Sequence, residues 1–199
     1  MTHPDAEDVL ELWFGQLDED GRADDAHRQR WFRKDPDFDA LLRERFGALH
    51  EAVAAGERPE WRETPRGRLA TIVVLDQLSR NLHRDTARMF ENDAEALAVA
   101  EAALAAGDDD ALATHERYFL YMPFMHAEDL EAQERCVRLF EEARDAAPPK
   151  LASTFDPTWA VRHRDIVARF GRFPHRNALL GRASTPEEEA FLKEPGSSF

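Results

Sequence analysis

The chain has 199 residues, 43% of them hydrophobic and 33% charged, with a formal net charge of −14. That length suits a single domain over 1–199 with one core, and so acidic a surface argues against nucleic acid or anionic membranes as partners. No stretch approaches the roughly 18 apolar residues of a spanning helix, MTHPDAEDVLELWFG has no basic leader, and the one cysteine, Cys136, excludes an intrachain disulfide, so a cytoplasmic protein is expected.

Punctuation divides the chain into helices. Asp5 can cap a first helix running to Phe14, with Gly15 as its stop. Asp35-Pro36 opens a second, in which Phe38, Leu41, Leu42, Phe46, Leu49 and Val53 recur at helical spacing up to Gly56. Thr64-Pro65 starts a third, through Leu82, that is apolar on more than one side and so expected at the centre. Asp93 begins an alanine-rich helix ending at Gly107, and Asp108 to Asp110 open another that Pro123 should break. LEAQERCVRLFEEARDAA follows, where Cys136 looks like a small packing residue. Asp156-Pro157 starts TWAVRHRDIVARF and Gly171 stops it. Pro174 can begin a short helix through Leu180, and Thr185-Pro-Glu-Glu is a capping box for a last one. Nothing reads as a strand. The fold class is all-α, about nine helices in antiparallel hairpins forming a compact bundle or a short superhelix.

Three segments carry candidate chemistry. Asp76 and Arg80 stand four apart on the central helix and read first as a buried ion pair. YFLYMPFMHAED, residues 118–129, is an apolar wall ending in His126, Glu128 and Asp129. His126 with one of these acids could form a base and its orienting group, and Tyr118 and Tyr121 could bond a ligand. In RFGRFPHRN, residues 169–177, the cations Arg172, His175 and Arg176 and the amide of Asn177 gather at the start of the expected Pro174 helix. Positive charge is unfavourable there by about 0.3–1 kcal/mol unless an anion faces it. That anion is either an internal carboxylate, with Asp76, Glu116, Glu128 and Asp129 available, or a ligand. His163 reads as a core histidine. No histidines show metal-ligand spacing such as HExxH, so neither a metal nor another cofactor is expected.

The order WFG (13–15), W-F-x-K-D (31–35), T-P-x-G-x-L-A (64–70), L-D-Q-x-x-R-N (75–81), E-R-x-F-L-Y-M-P-x-M-H-x-E-D-L (116–130), RFGRFPHRN (169–177) and L-G-R-x-S-T-P-E-E (180–188) resembles the bacterial family called domain of unknown function 924. The resemblance covers nearly the whole chain. It implies an all-α fold similar to tetratricopeptide-like superhelices and brings no established activity. The chain departs from the family's usual pattern at Leu78-Ser79, where Phe-Pro is common, and at Ala127, where serine is common.

Two functions compete at this level. One is a small-molecule binding protein or enzyme whose pocket for a carboxylate or phosphate is lined by Arg80, Tyr121, His126, Arg172, His175, Arg176 and Asn177, with His126 and Glu128 as catalytic candidates. The other is a tetratricopeptide-like scaffold for a protein or peptide, in which these polar clusters only tie helices together.

Overall fold

The computed structural model describes residues 4–198, and among them every regular element is helical. In order these are α1 (Ala6–Phe14), α2 (Asp25–Trp31), α3 (Pro36–Ala54), α4 (Pro65–Ile72), a π-helical segment (Val73–Leu78), α5 (Ser79–Leu82), α6 (Asp93–Ala105), α7 (Thr114–His126), α8 (Leu130–Ala146), α9 (Thr158–Phe170) and α10 (Pro186–Phe191). Counted with Pro65–Leu82 as one continuous rod, they make nine helices.

Side-chain caps set most of the starts. Asp5 and Asp8 exchange bonds with each other's backbone N–H in a capping box, and Thr185 with Glu188 repeats the device on α10. Asp24, Asp35, Thr64 and Asp129 each accept an N–H from the first turn of α2, α3, α4 and α8. At the other end, Gly107 and Gly171 take left-handed φ of 75° and 68°, which a side chain would strain.

The α4–π–α5 rod lies at the centre because it is apolar all round, and Leu69 to Ser79 are buried without a break. Helices α1, α3, α6 and α7 pack around it, while α7, α8 and α9 pack on one another in sequence. A satellite cluster of Ile166, Val167 and Phe173 with Phe170 and Phe191 ties the C-terminal turns to α9. No helix among the described residues is long and apolar enough to cross a membrane.

The structure corrects four expectations. The rod is not a uniform α-helix but carries a π turn at Val73–Leu78. Asp108–Asp110 form a 3₁₀ turn, its first carboxylate held by Arg68, and α7 starts only at Thr114, where Glu116 accepts the Ala113 N–H at 3.0 Å. Pro123 does not end α7, which continues to His126. Packing against α4, α6, α8 and α9 outweighs the one lost backbone bond. Pro174 opens only a 3₁₀ turn, Pro174–Arg176. The exposed helix α2 gave no apolar period and was not expected.

Gly67 shows how tightly the rod is set. A Cβ there would meet the Trp61 carbonyl oxygen at 2.1 Å, and that oxygen belongs to backbone that cannot swing aside. Alanine ordinarily favours a helix by about 1 kcal/mol over glycine, but Gly67→Ala is expected to lose about 1–3 kcal/mol through overpacking. Urea unfolding would measure it, and an unchanged or higher midpoint would refute the steric argument.

Candidate functional site

The π segment carries Asp76 into the core with none of its surface exposed. Its carboxylate meets three groups. His126 Nδ1 lies 2.7 and 3.0 Å from its two oxygens, an Arg80 guanidinium nitrogen 2.9 Å away, and Gln77 Nε2 donates at 2.5 Å. Burial alone would raise this carboxyl's pKa, but Arg80 and His126 outweigh it and hold the group well below the usual carboxylate range. Asp76 is therefore ionised and can only accept, so the proton between it and His126 sits on Nδ1.

His126 is itself neutral. Burial and the Arg80 charge pull its pKa down by more than Asp76 restores. An imidazole oriented through Nδ1–H by a carboxylate keeps a lone pair on Nε2, the arrangement that general bases use.

Asp93, at the start of α6, extends the chain of charges. Arg80 reaches it at 3.1 Å and Arg176 at 3.0 Å. Arg176 also donates to the His126 carbonyl oxygen at 3.0 Å and stacks between Phe90 and Phe173, 4.5 and 4.6 Å from their ring centres. Its Nε is buried with no acceptor. Asp76, Arg80, Asp93 and Arg176 thus sum to zero formal charge beside a neutral His126.

This array lies at a cavity of about 630 Å³, lined on its polar side by Arg33, Gln77, Arg80, Asn81, Arg84, Asp85, His126, His163, His175 and Arg176. The other walls are Trp31, Met89, Phe90, Tyr118, Met122 and Met125, and Phe32, Trp159 and Leu179 also belong to the lining. The last three are 67%, 50% and 37% exposed and form an apolar rim. Burial lowers the pKa of His163 to about 3 and of His175 to about 4. The His163 Nδ1–H donates to the Trp159 carbonyl at 2.8 Å.

Of the seven residues expected to line the pocket, Arg80, His126, His175 and Arg176 come together here. Tyr121, Arg172 and Asn177 do not. Tyr121 is buried against Phe140 and Phe155, and its hydroxyl engages Arg117 at 2.9 Å and Asp109 at 3.4 Å. It is Tyr118, about one turn earlier on α7, that lines the cavity. Arg172 forks onto Glu188 at 2.7 and 2.9 Å. Asn177 bonds Ser184 and Glu188 and accepts from Arg182. Glu128 is no partner of His126. It accepts the Phe173 N–H at 2.7 Å and both arms of Arg182, at 2.5 and 2.8 Å. The anions facing the RFGRFPHRN cations are thus internal: Glu188 for Arg172, Asp93 for Arg176.

Residues 9–196 match the family model described as bacterial protein of unknown function, DUF924. The chain belongs to this family. A solved structure, of a protein of unknown function from Agrobacterium tumefaciens, is 38% identical, with a TM-score of 0.79, covering 94% of this chain and 96% of that one. No curated protein matches. Four of the DUF924-like motifs converge on the cavity, W-F-x-K-D through Trp31 and Phe32, L-D-Q-x-x-R-N through Gln77 and Arg80, the 116–130 motif through His126, and RFGRFPHRN through His175 and Arg176. Sequence reasoning missed Asp93 in this DUF924 chain, since an acid in a first helical turn is ordinary there and signals nothing.

Proposed function

We propose that the cavity binds a small molecule with an apolar body and one carboxylate or phosphate group, and that His126 takes up a proton as the ligand enters. The observation that carries this reading is the neutral His126, oriented by Asp76, beside two arginines whose charges are already balanced. An anion arriving at a neutral array in a low dielectric would find no net countercharge unless a proton came with it. His126 is the group able to accept one. The rim of Phe32, Trp159 and Leu179 suits the apolar body. Polar groups gathered in a cavity, and not along exposed helix faces, favour this reading over a peptide scaffold. In it, His126 Nε2 is also the base available for chemistry on the bound molecule.

The test is titration calorimetry with aryl carboxylates and aryl phosphates from pH 8 to 5. His126 has a lowered pKa in the free protein, and a bound anion would raise it. Between those two values affinity should rise as pH falls, by up to about tenfold per pH unit. Buffers of different ionisation enthalpy should report uptake of about one proton, and His126→Gln should flatten the slope. Absence of binding by every anion, or an unchanged slope in His126→Gln, would defeat the proposal.

A further inference from the structure

A second group of side chains lies outside the cavity lining. His50 of α3 and His83, just past α5, set their rings edge to face with centroids 5.1 Å apart. His50 is 1% exposed, and its Nε2 lies 2.8 Å from Ser79 Oγ. The Ser79 hydroxyl proton is committed to the Leu75 carbonyl at 2.6 Å, so toward His50 the oxygen can only accept. His50 Nε2 therefore carries the ring proton, and Nδ1 presents a bare lone pair. That Nδ1 is buried without a hydrogen-bond partner, and so is Nε2 of His83. Folded proteins rarely leave two such atoms unanswered side by side. One ring nitrogen of each histidine and a carboxylate oxygen of Glu51 all lie within 4.8 Å of one another.

We propose that His50, His83 and Glu51 form a binding site for a divalent transition-metal ion, zinc above all, with one coordination position left to solvent. Two imidazoles and a carboxylate are a zinc donor set, and their nitrogen content disfavours magnesium and calcium. Burial, before any charge effect, keeps both rings in the neutral form that ligates, with His50 lowered to about 4. Ser79 supplies the support a ligating histidine ordinarily has, an acceptor for its far N–H that fixes tautomer and ring plane. Exposed Glu51 gives the ion its entry. Arg88 occupies Oε1 of Glu51 at 2.8 Å, an exposed pair that competes weakly. Donors about 2.0–2.2 Å from a tetrahedral ion stand about 3.4 Å apart, so the trio must draw in by at most about 1.4 Å. Glu51, on a flexible exposed stem, and His83, at a helix end, are the members able to move.

Zinc titrated into the chelator-stripped full chain, with cobalt(II) absorption as the reporter of coordination, tests the site. The expected result is one ion per chain with the spectrum of a low-coordinate nitrogen–oxygen site. His50→Gln and His83→Gln should each weaken binding at least tenfold, Ser79→Ala by about 10–100-fold, and His27→Gln not at all. His83 is only half buried, so its variant keeps the test valid if His50→Gln fails to fold. Failure of the wild-type chain to take up zinc overturns the proposal. Wild-type affinity in His83→Gln does so too, by assigning the ion to surface groups.

Discussion

Chelator-treated protein is expected to unfold as pH falls from 6.5 toward 4, with uptake of about three to four protons. His50, His115 and His175 have pKa values lowered to about 4 and His163 to about 3, burial being the first cause in each. Unfolded, each returns to about 6.5. Between those limits the unfolded state binds more protons, so stability is complete above about 6.5 and is lost as pH drops through the window. A fully withheld proton changes stability by about 1.4 kcal/mol per pH unit. Four sites, with the less enclosed His115 counting for less, still remove several kcal/mol by pH 5, against a typical total of about 5–15 kcal/mol. The contacts give this a structural reason: His115 Nδ1 accepts the Ala23 N–H at 2.8 Å and cannot do so once protonated. Urea unfolding at pH 7, 6 and 5 is the measurement, and a midpoint that does not move would show these rings to be hydrated in the folded chain.

Asp76→Asn is expected to cost about 3–5 kcal/mol, the usual consequence of removing one partner of a buried ion pair. The value should fall toward the lower end, because Arg80 keeps Asp93. An asparagine amide can also donate to His126 Nδ1, which would move the ring proton to Nε2 and remove the lone pair from the ligand's side. Stability and any proton-linked anion binding should therefore be lost together. A double-mutant cycle with His126→Gln should give a coupling of about 0.5–3 kcal/mol. A loss below 1 kcal/mol in Asp76→Asn would mean that water, not the carboxylate, satisfies Arg80 and His126.

Local signals were legible in the sequence, and long-range pairings were not. Asp5, Asp35, Thr64 and Thr185 begin helices as read, and Gly15, Gly107 and Gly171 stand where helices stop, because capping involves residues within one turn. Asp76 and Arg80 form the pair their spacing suggested. The sequence offers Glu128 or Asp129 as the partner of His126, and the partner is Asp76, fifty residues earlier on another helix. Nothing in either segment encodes that meeting. Arg172 and Asn177 lie outside the cavity for a related reason, since Glu188 holds both, and in sequence Glu188 reads as the acid of a capping box and nothing more.

The π turn at Val73–Leu78 bears on what lengths the chain can tolerate. Such a turn houses one residue more than an α-helical turn, and one residue corresponds to about 100° of rotation about the axis. Pro65–Ile72 and Ser79–Leu82 are thus two α-helical phases of one rod, offset from each other, and the offset sets the direction in which Arg80 and Ser79 leave it. Deleting any residue from 73 to 78 would restore perfect helical hydrogen bonding and at the same stroke turn Arg80 from Asp93 and Ser79 from His50. The irregularity works as a length gauge: conservative substitutions inside it are compatible with the architecture, and a change in residue count is not.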